Sequence, residues 1–284
     1  MSLFKFFSFN NNNLSSFADR KLWFSKVNAF NDPFEGLFIH STKRLSSGQT
    51  INVISTMNKD GELNKLLQID HQSETMGRLR DIAMLGQLDT LREITEETLK
   101  IAFDKAMNDI YDAGVCCFIS DKNIQAEYSN PIQNQLMWGY YGDGLRGYAL
   151  EMHEPFECND KISCVSVEYI KDIPTIDTSD FGYKFYTSTS QQDRNNLSSK
   201  LVDLIASKSD LWKHENEIRF ISQNGNALVS YSEGSVKALY IGEKMPEWQQ
   251  TALVSIAKKN GITDIYTAYI RKERYELSIE RYVK

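Results

Sequence analysis

The sequence predicts an α+β domain, with a mixed or split β-sheet core and a helical insertion at about residues 62–113, and three observations carry that expectation. Short aromatic and β-branched runs recur along the whole chain, as strands require. One block with apolar residues at i, i+3, i+4 interrupts them. Neither an internal repeat nor a long linker divides the 284 residues, so the chain reads as a single domain, 1–284. With 41% hydrophobic and 12% aromatic residues it can fill a core of that size.

Residues 3–9 have the aromatic density of a strand; Asn10 and its neighbours then break it and offer a cap to a helix over 14–21. Leu22-Trp23-Phe24-Ser25 returns to strand. Next comes Phe30-Asn31-Asp32-Pro33-Phe34-Glu35, a shaped turn, because Pro33 fixes its own φ and pushes Asp32 toward an extended conformation. Burial of Phe30 and Phe34 would draw Asn31, Asp32 and Glu35 to a wall where unpaired polar groups are costly. Leu99, Ala102, Phe103, Ala106, Met107 and Ile110 mark the helical block, which Gly114 stops. The pattern then gives a buried strand at 115–120, a short helix at 133–141 after Pro131, and strands at 146–152 and 162–170. Leu197, Leu201, Leu204 and Ile205 form one helical stripe. Residues 212–222 alternate as a strand, with Glu215, Glu217 and Arg219 on one face. A strand at 236–242, a helix at 248–259 and strands at 264–271 and 275–283 complete the chain.

Composition narrows the function classes. A net charge of −6 argues against a broad phosphate-binding surface; Arg271, Lys272 and Arg274 are the one local basic candidate, with a solvated strand end as the plainer reading. Cys116, Cys117, Cys158 and Cys164 show no CxxC spacing, which fits a reducing, cytoplasmic setting. The opening apolar run is too short for a secretion signal, and no window approaches a membrane span. His40, His71, His153 and His214 have no ligand spacing, so no metal site is expected from them. GxxxxGK[ST], HExxH and GxSxG are absent from the sequence.

Three segments can carry chemistry, each with a plainer alternative. Residues 30–35 are either a pocket rim or an Asx-type turn that caps a neighbour. In Met137-Trp138-Gly139-Tyr140-Tyr141-Gly142-Asp143-Gly144, glycines let a ligand approach the main chain while Trp or Tyr faces stack on a planar ring; the alternative is aromatic core with a turn. In the 212–222 strand, Arg219 either holds Glu217 at a substrate pocket or pairs with it on a solvated face.

Leu3-Phe4-Lys5-Phe6, Leu22-Trp23-Phe24-Ser25, residues 30–36, Cys117-Phe118-Ile119-Ser120, Met137-Trp138-Gly139-Tyr140-Tyr141 and residues 212–220 together resemble a widespread bacterial domain family of unknown function, over nearly the whole chain. The chain departs from that family's first motif, with Phe6 and Phe7 where an aromatic and then an arginine are usual, so that Lys5 or Arg219 would have to substitute. More distantly, the opening strand, helix and strand resemble the ADP-ribosyltransferase fold. Tyr186-Thr187-Ser188-Thr189-Ser190 with Glu215-x-Glu217 downstream is also similar to an element of one class of those enzymes. The resemblance implies an NAD-using enzyme that modifies a nucleic acid or a protein, as a toxin or anti-phage defence effector with a neutralising partner. It assigns Glu217 to the ribosyl cation and Arg219 to orienting it or holding a phosphate. Trp23 and Ser25 would line the nicotinamide pocket, Trp138 or Tyr141 would close it, and Asn31, Asp32 and Glu35 would shape the loop or bind acceptor. Two rivals remain. In a metal-dependent nuclease, Asp32, Glu35, Glu215 and Glu217 would converge on Mg²⁺, beside a positioned lysine and a basic channel. A non-catalytic binding module would use the same motifs only to hold an aromatic core and a groove.

Overall fold

A computed structural model describes residues 1–59, 77, 81, 86–122, 130–159, 161–188 and 190–283. They form two compact units, one of Met1–Glu35, Asp112–Tyr169 and Lys208–Lys284, the other of Gly36–Tyr111 and Ile170–Ser207.

The first unit is built on one eight-stranded mixed sheet. Its strands are β1 (Leu3–Phe7), β2 (Gly114–Ser120), β3 (Tyr148–Met152), β4 (Ile162–Ser166), β5 (Glu217–Ser222), β6 (Val236–Gly242), β7 (Asp264–Ile270) and β8 (Leu277–Arg281). Their spatial order is β8-β7-β6-β3-β1-β2-β5-β4. Neighbours run antiparallel except β6 and β7, which are parallel and joined by the helix Glu247–Lys259, the crossover that a parallel pair needs. Alternation along β1 explains the two-faced core. Leu3 packs with Phe118, Leu150 and Phe220 on one face, whereas Phe4 and Phe6 pack with Ile119, Ala149 and Trp138 on the other. Phe17 of the helix Asn11–Ala18 and Leu253 of Glu247–Lys259 belong to the first cluster; Ile132 and Met137 belong to the second.

Trp138 is thus core. Its ring meets Phe6 edge-on at 5.1 Å, and its indole N–H donates to the Ile132 carbonyl at 2.8 Å, so the side chain is both packed and satisfied. The neighbouring glycines serve packing: a Cβ at Gly142 would lie 2.7 Å from the Trp138 ring, and Gly144 adopts φ 59°. Replacing Gly142 by alanine should cost about 1–3 kcal/mol through overpacking, read as a shift in the urea midpoint.

Local signals account for most boundaries. Asn10 accepts from the Asn13 N–H at 2.9 Å, so the first helix starts earlier than the expected 14–21. The expected strand at 162–170 splits at Val167, whose N–H donates to the Glu217 carbonyl, into β4 and Glu168–Ile170. The expected strand at 212–222 is corrected more deeply. Asp210–Glu215 is a 3₁₀ helix and Asn216 turns the chain with φ 44°, so β5 begins at Glu217 and Glu215 is not on it. Asn tolerates that left-handed conformation.

The second unit contains the helices Ser47–Lys59, Leu88–Asp112, Thr178–Thr187 and Gln191–Ile205 and a short parallel pair, Ile39–Ser41 with Thr175–Asp177. Leu45, Val53, Met57 and Leu99 form one of its apolar clusters; Phe103, Met107, Leu201 and Leu204 form another. The stripe from Leu197 to Ile205 is buried as its spacing requires. Of the expected insertion, 62–76, 78–80 and 82–85 lie outside the described residues. Tyr186 and Thr187 end the helix Thr178–Thr187, and Thr189 also lies outside the described residues. Among the described residues no helix is long and apolar enough to cross a membrane.

Candidate functional site

β5 lies between β2 and β4, and all six of its residues are buried. Its period of two places Glu217 and Arg219 on one face, and burying two charges there is tolerable only if each is fully partnered. The Arg219 Nε donates to Glu217 Oε1 at 2.8 Å, and its Nη2 donates to Glu217 Oε2 at 3.1 Å. The same Nη2 reaches Glu35 Oε2 at 2.7 Å. Lys208, from the short strand Ser207–Ser209, sits with its Nζ 2.5 Å from Glu215 Oε2, 2.9 Å from Glu35 Oε1 and 3.5 Å from Glu217 Oε2. Glu35 therefore bridges the two cations.

Aromatic rings and further hydrogen bonds enclose this network. The Phe30 ring lies 5.1 Å from the Arg219 guanidinium, and the Trp212 ring lies 4.9 Å from the Lys208 ammonium. The Tyr141 hydroxyl donates to Glu215 Oε1 at 2.8 Å and is hydrogen-bonded to the Asn31 side chain. The Tyr169 hydroxyl accepts from the Glu217 N–H at 2.8 Å.

Three carboxylates face two cations, and their environments push two of the carboxylates apart. Burial would raise the Glu217 carboxyl, but the Arg219 guanidinium, with help from Lys208, holds it below the ordinary value. For Glu35 burial wins: its carboxyl is raised despite the pull of Arg219 and Lys208, with the Glu217 charge pushing the same way as burial. Lys208 is held above the ordinary value although burial opposes it, because Glu217, Glu215 and Glu35 all favour its charge. The pair Glu217 and Glu35 thus combines a carboxyl held below the ordinary value with one raised above it, both on the same guanidinium nitrogen. That separation is what acid–base and charge-stabilising chemistry requires.

The network forms one wall of a cavity of about 360 Å³. Phe4, Phe6, Phe30, Tyr140 and Tyr141 supply aromatic surface, and Lys5, Asn31, Glu35, Cys117, Lys208, Glu215 and Glu217 supply polar groups. The Lys5 ammonium donates to the Cys117 carbonyl at 2.9 Å and lies 5.5 Å from the Phe118 ring. Burial pushes the Cys117 thiol well up, the Glu217 charge adds to the rise, and the thiol is hydrogen-bonded to Glu217, so it is no nucleophile.

Of the residues singled out in the sequence, Lys5, Asn31, Glu35, Tyr141 and Glu217 line this one cavity, and Arg219 grips two of its carboxylates from within the sheet. Others do not line it. Trp23 is 47% exposed on Lys21–Phe24, which pairs with Ala227–Ser230 and not with the main sheet. Ser25 exchanges backbone hydrogen bonds with Val115. Asp32 is buried and makes an Asx turn, its Oδ1 accepting from the Phe34 N–H at 2.9 Å, while its Oδ2 has no hydrogen-bond partner among the described residues. Trp138 is in the core. Phe34, expected to bury, is 64% exposed, because the turn directs only Phe30 to the arginine.

Sequence reasoning missed Lys208, Tyr169 and Trp212. One signal could have found the lysine: three acidic candidates converging with a single arginine leave a charge imbalance that a buried site does not tolerate. The lysine also bears on the nuclease rival. Its ammonium stands among Glu35, Glu215 and Glu217 where a bridging cation would go, and Asp32 is not among its partners. Among the described residues no group of three or more His, Cys, Asp or Glu is arranged to hold a metal ion.

A family model described as a protein of unknown function (DUF2971) matches residues 137–220, a stretch from the helix Gln135–Tyr140 to the strand that carries Glu217 and Arg219. No curated protein and no solved structure matches the chain.

Proposed function

We propose that this chain is an ADP-ribosyltransferase-like enzyme that releases nicotinamide from NAD and transfers ADP-ribose to a nucleic acid or protein. The observation that carries the reading is that Glu217, its carboxyl held below the ordinary value by Arg219, stands beside Glu35, its carboxyl raised by burial, on the wall of an aromatic cavity. Glu217, oriented by two donors of Arg219, stabilises positive charge that develops at the ribose C1′ as its bond to nicotinamide breaks; the electron pair leaves with the ring. The faces of Phe30 and Tyr141 suit a planar heterocycle and keep water from the cation. Glu35, made more basic by burial, takes the proton of the acceptor hydroxyl or amine as its oxygen or nitrogen bonds to C1′. Bound NAD supplies only the cleavable glycosidic bond. Such an enzyme in the cytoplasm would act as a toxin or anti-phage effector, and a partner covering the cavity would silence it.

Calorimetry with millimolar NAD should give heat, and nicotinamide should appear once cell extract supplies an acceptor. If neither heat nor nicotinamide is detected, the reading is wrong.

A further inference from the structure

We propose that the hairpin joining β7 to β8, with the groove beside it, binds single-stranded nucleic acid; this deepens the reading above by naming the acceptor. The turn between Ile270 and Leu277 is Arg-Lys-Glu-Arg-Tyr-Glu. It flanks a groove of about 700 Å³ whose lining includes Lys244, Arg271, Lys272 and Arg274 against only Glu273 and Glu276. Glu276 is already paired, 3.2 Å from Arg271 and 3.8 Å from Arg274, whereas Lys244 and Lys272 make no ion pair among the described residues. A local excess of cations in a chain of net charge −6 fits a polyanion backbone.

The second observation is Tyr275. The residue is 98% exposed, so packing does not explain its ring. Its backbone is nevertheless fixed: Gln135 donates to the Tyr275 carbonyl, Gln133 donates to the Leu277 carbonyl at 3.3 Å, and the Arg271 N–H closes the turn on the Glu276 carbonyl at 3.0 Å. A ring held free on an anchored turn among cations is the arrangement that stacks an unpaired base while its phosphates are neutralised. Base stacking separates this occupant from an acidic peptide, which would use the lysines alone.

The groove also adjoins the cavity. Gln135, Trp138 and Gly139 of the helix Gln135–Tyr140 border the groove, and Met137 and Tyr140 of the same helix border the cavity. Tyr140 is exposed on the cavity side and meets Trp212 edge-on at 5.6 Å. A strand lying in the groove would therefore reach the cavity across one helix.

The test is fluorescence anisotropy of a short labelled oligothymidylate without NAD, across a salt series, with the matching duplex and polyglutamate as competitors. The single strand should bind and weaken with salt. Tyr275→Ala should weaken it about tenfold, and Lys244→Ala with Lys272→Ala should flatten the slope of log Kd on log salt by about 1.4. Absence of binding at low salt overturns the proposal, as does binding indifferent to Tyr275 and displaced equally by polyglutamate. Calorimetry with NAD on the same variants separates the two readings: NAD heat without oligonucleotide binding sinks only the acceptor assignment, and the converse sinks only the enzyme.

Discussion

Exchanging Glu217 for glutamine should lower nicotinamide release about 10²- to 10³-fold while NAD binding changes little. Glutamine keeps the shape of the side chain and one carbonyl oxygen for Arg219, so the cavity persists, but the fixed negative charge that the proposed reaction would set against C1′ is gone. That charge acts only as positive charge develops, so the loss belongs in kcat and not in KM. Circular dichroism and a urea titration establish the folded fraction, and rates are compared per folded molecule. A folded Glu217→Gln protein with the parent rate would remove Glu217 from the chemistry. The pH profile offers a second reading. Glu35 must lose its proton to act as a base, and its carboxyl is raised by burial, so activity should fall as pH drops through that raised value. Glu35→Gln should abolish that acid limb.

Exchanging Lys208 for methionine should cost about 3–5 kcal/mol of stability, since it leaves three buried carboxylates with one arginine. Methionine fills the aliphatic volume, so the loss is electrostatic and not a cavity. Its pH dependence has a definite sign. Glu217 sits below its ordinary 4.5 in the fold, so its contribution is present above that value and is lost as pH falls through the folded one. Glu35 is raised, so its contribution is present below 4.5 and is lost as pH rises through the folded value. Lys208 is raised above 10.5, so its contribution is full below 10.5 and disappears only in strong alkali. In Lys208→Met the stranded carboxylates take up protons more readily, so the gap to the parent should narrow as the urea titration moves from pH 7 to pH 5. Adding Glu215→Gln should recover part of the loss, because it removes the carboxylate nearest the missing ammonium. Equal midpoints for the parent and Lys208→Met would mean that the network contributes nothing to the fold.

Legibility in the sequence followed the range of the interaction. β6 begins and ends where alternation placed it, at Val236 and Gly242, and the helix Glu247–Lys259 lies within one residue of its expected start. Both depend on neighbours one to four positions away. The strand through Glu215 failed because Asn216 adopts a left-handed turn that period-two counting cannot see. Trp138 and its glycines read in the sequence either as a ligand wall or as aromatic core with a turn, since exposed stacking surface and buried core use the same residues; only contact with Phe6 and Ile132 decides for the core.

The site divides in the same way. Composition and spacing by themselves determined an α+β chain with a Glu-x-Arg strand and an acidic, aromatic turn before it, because propensity, turn chemistry and side-chain alternation act locally. Only the tertiary structure brought Glu35 onto the Arg219 guanidinium, put Lys208 among three glutamates and pushed the carboxyls of Glu35 and Glu217 in opposite directions. Burial and Coulomb attraction depend on distance in space, and these partners meet there from far apart along the chain.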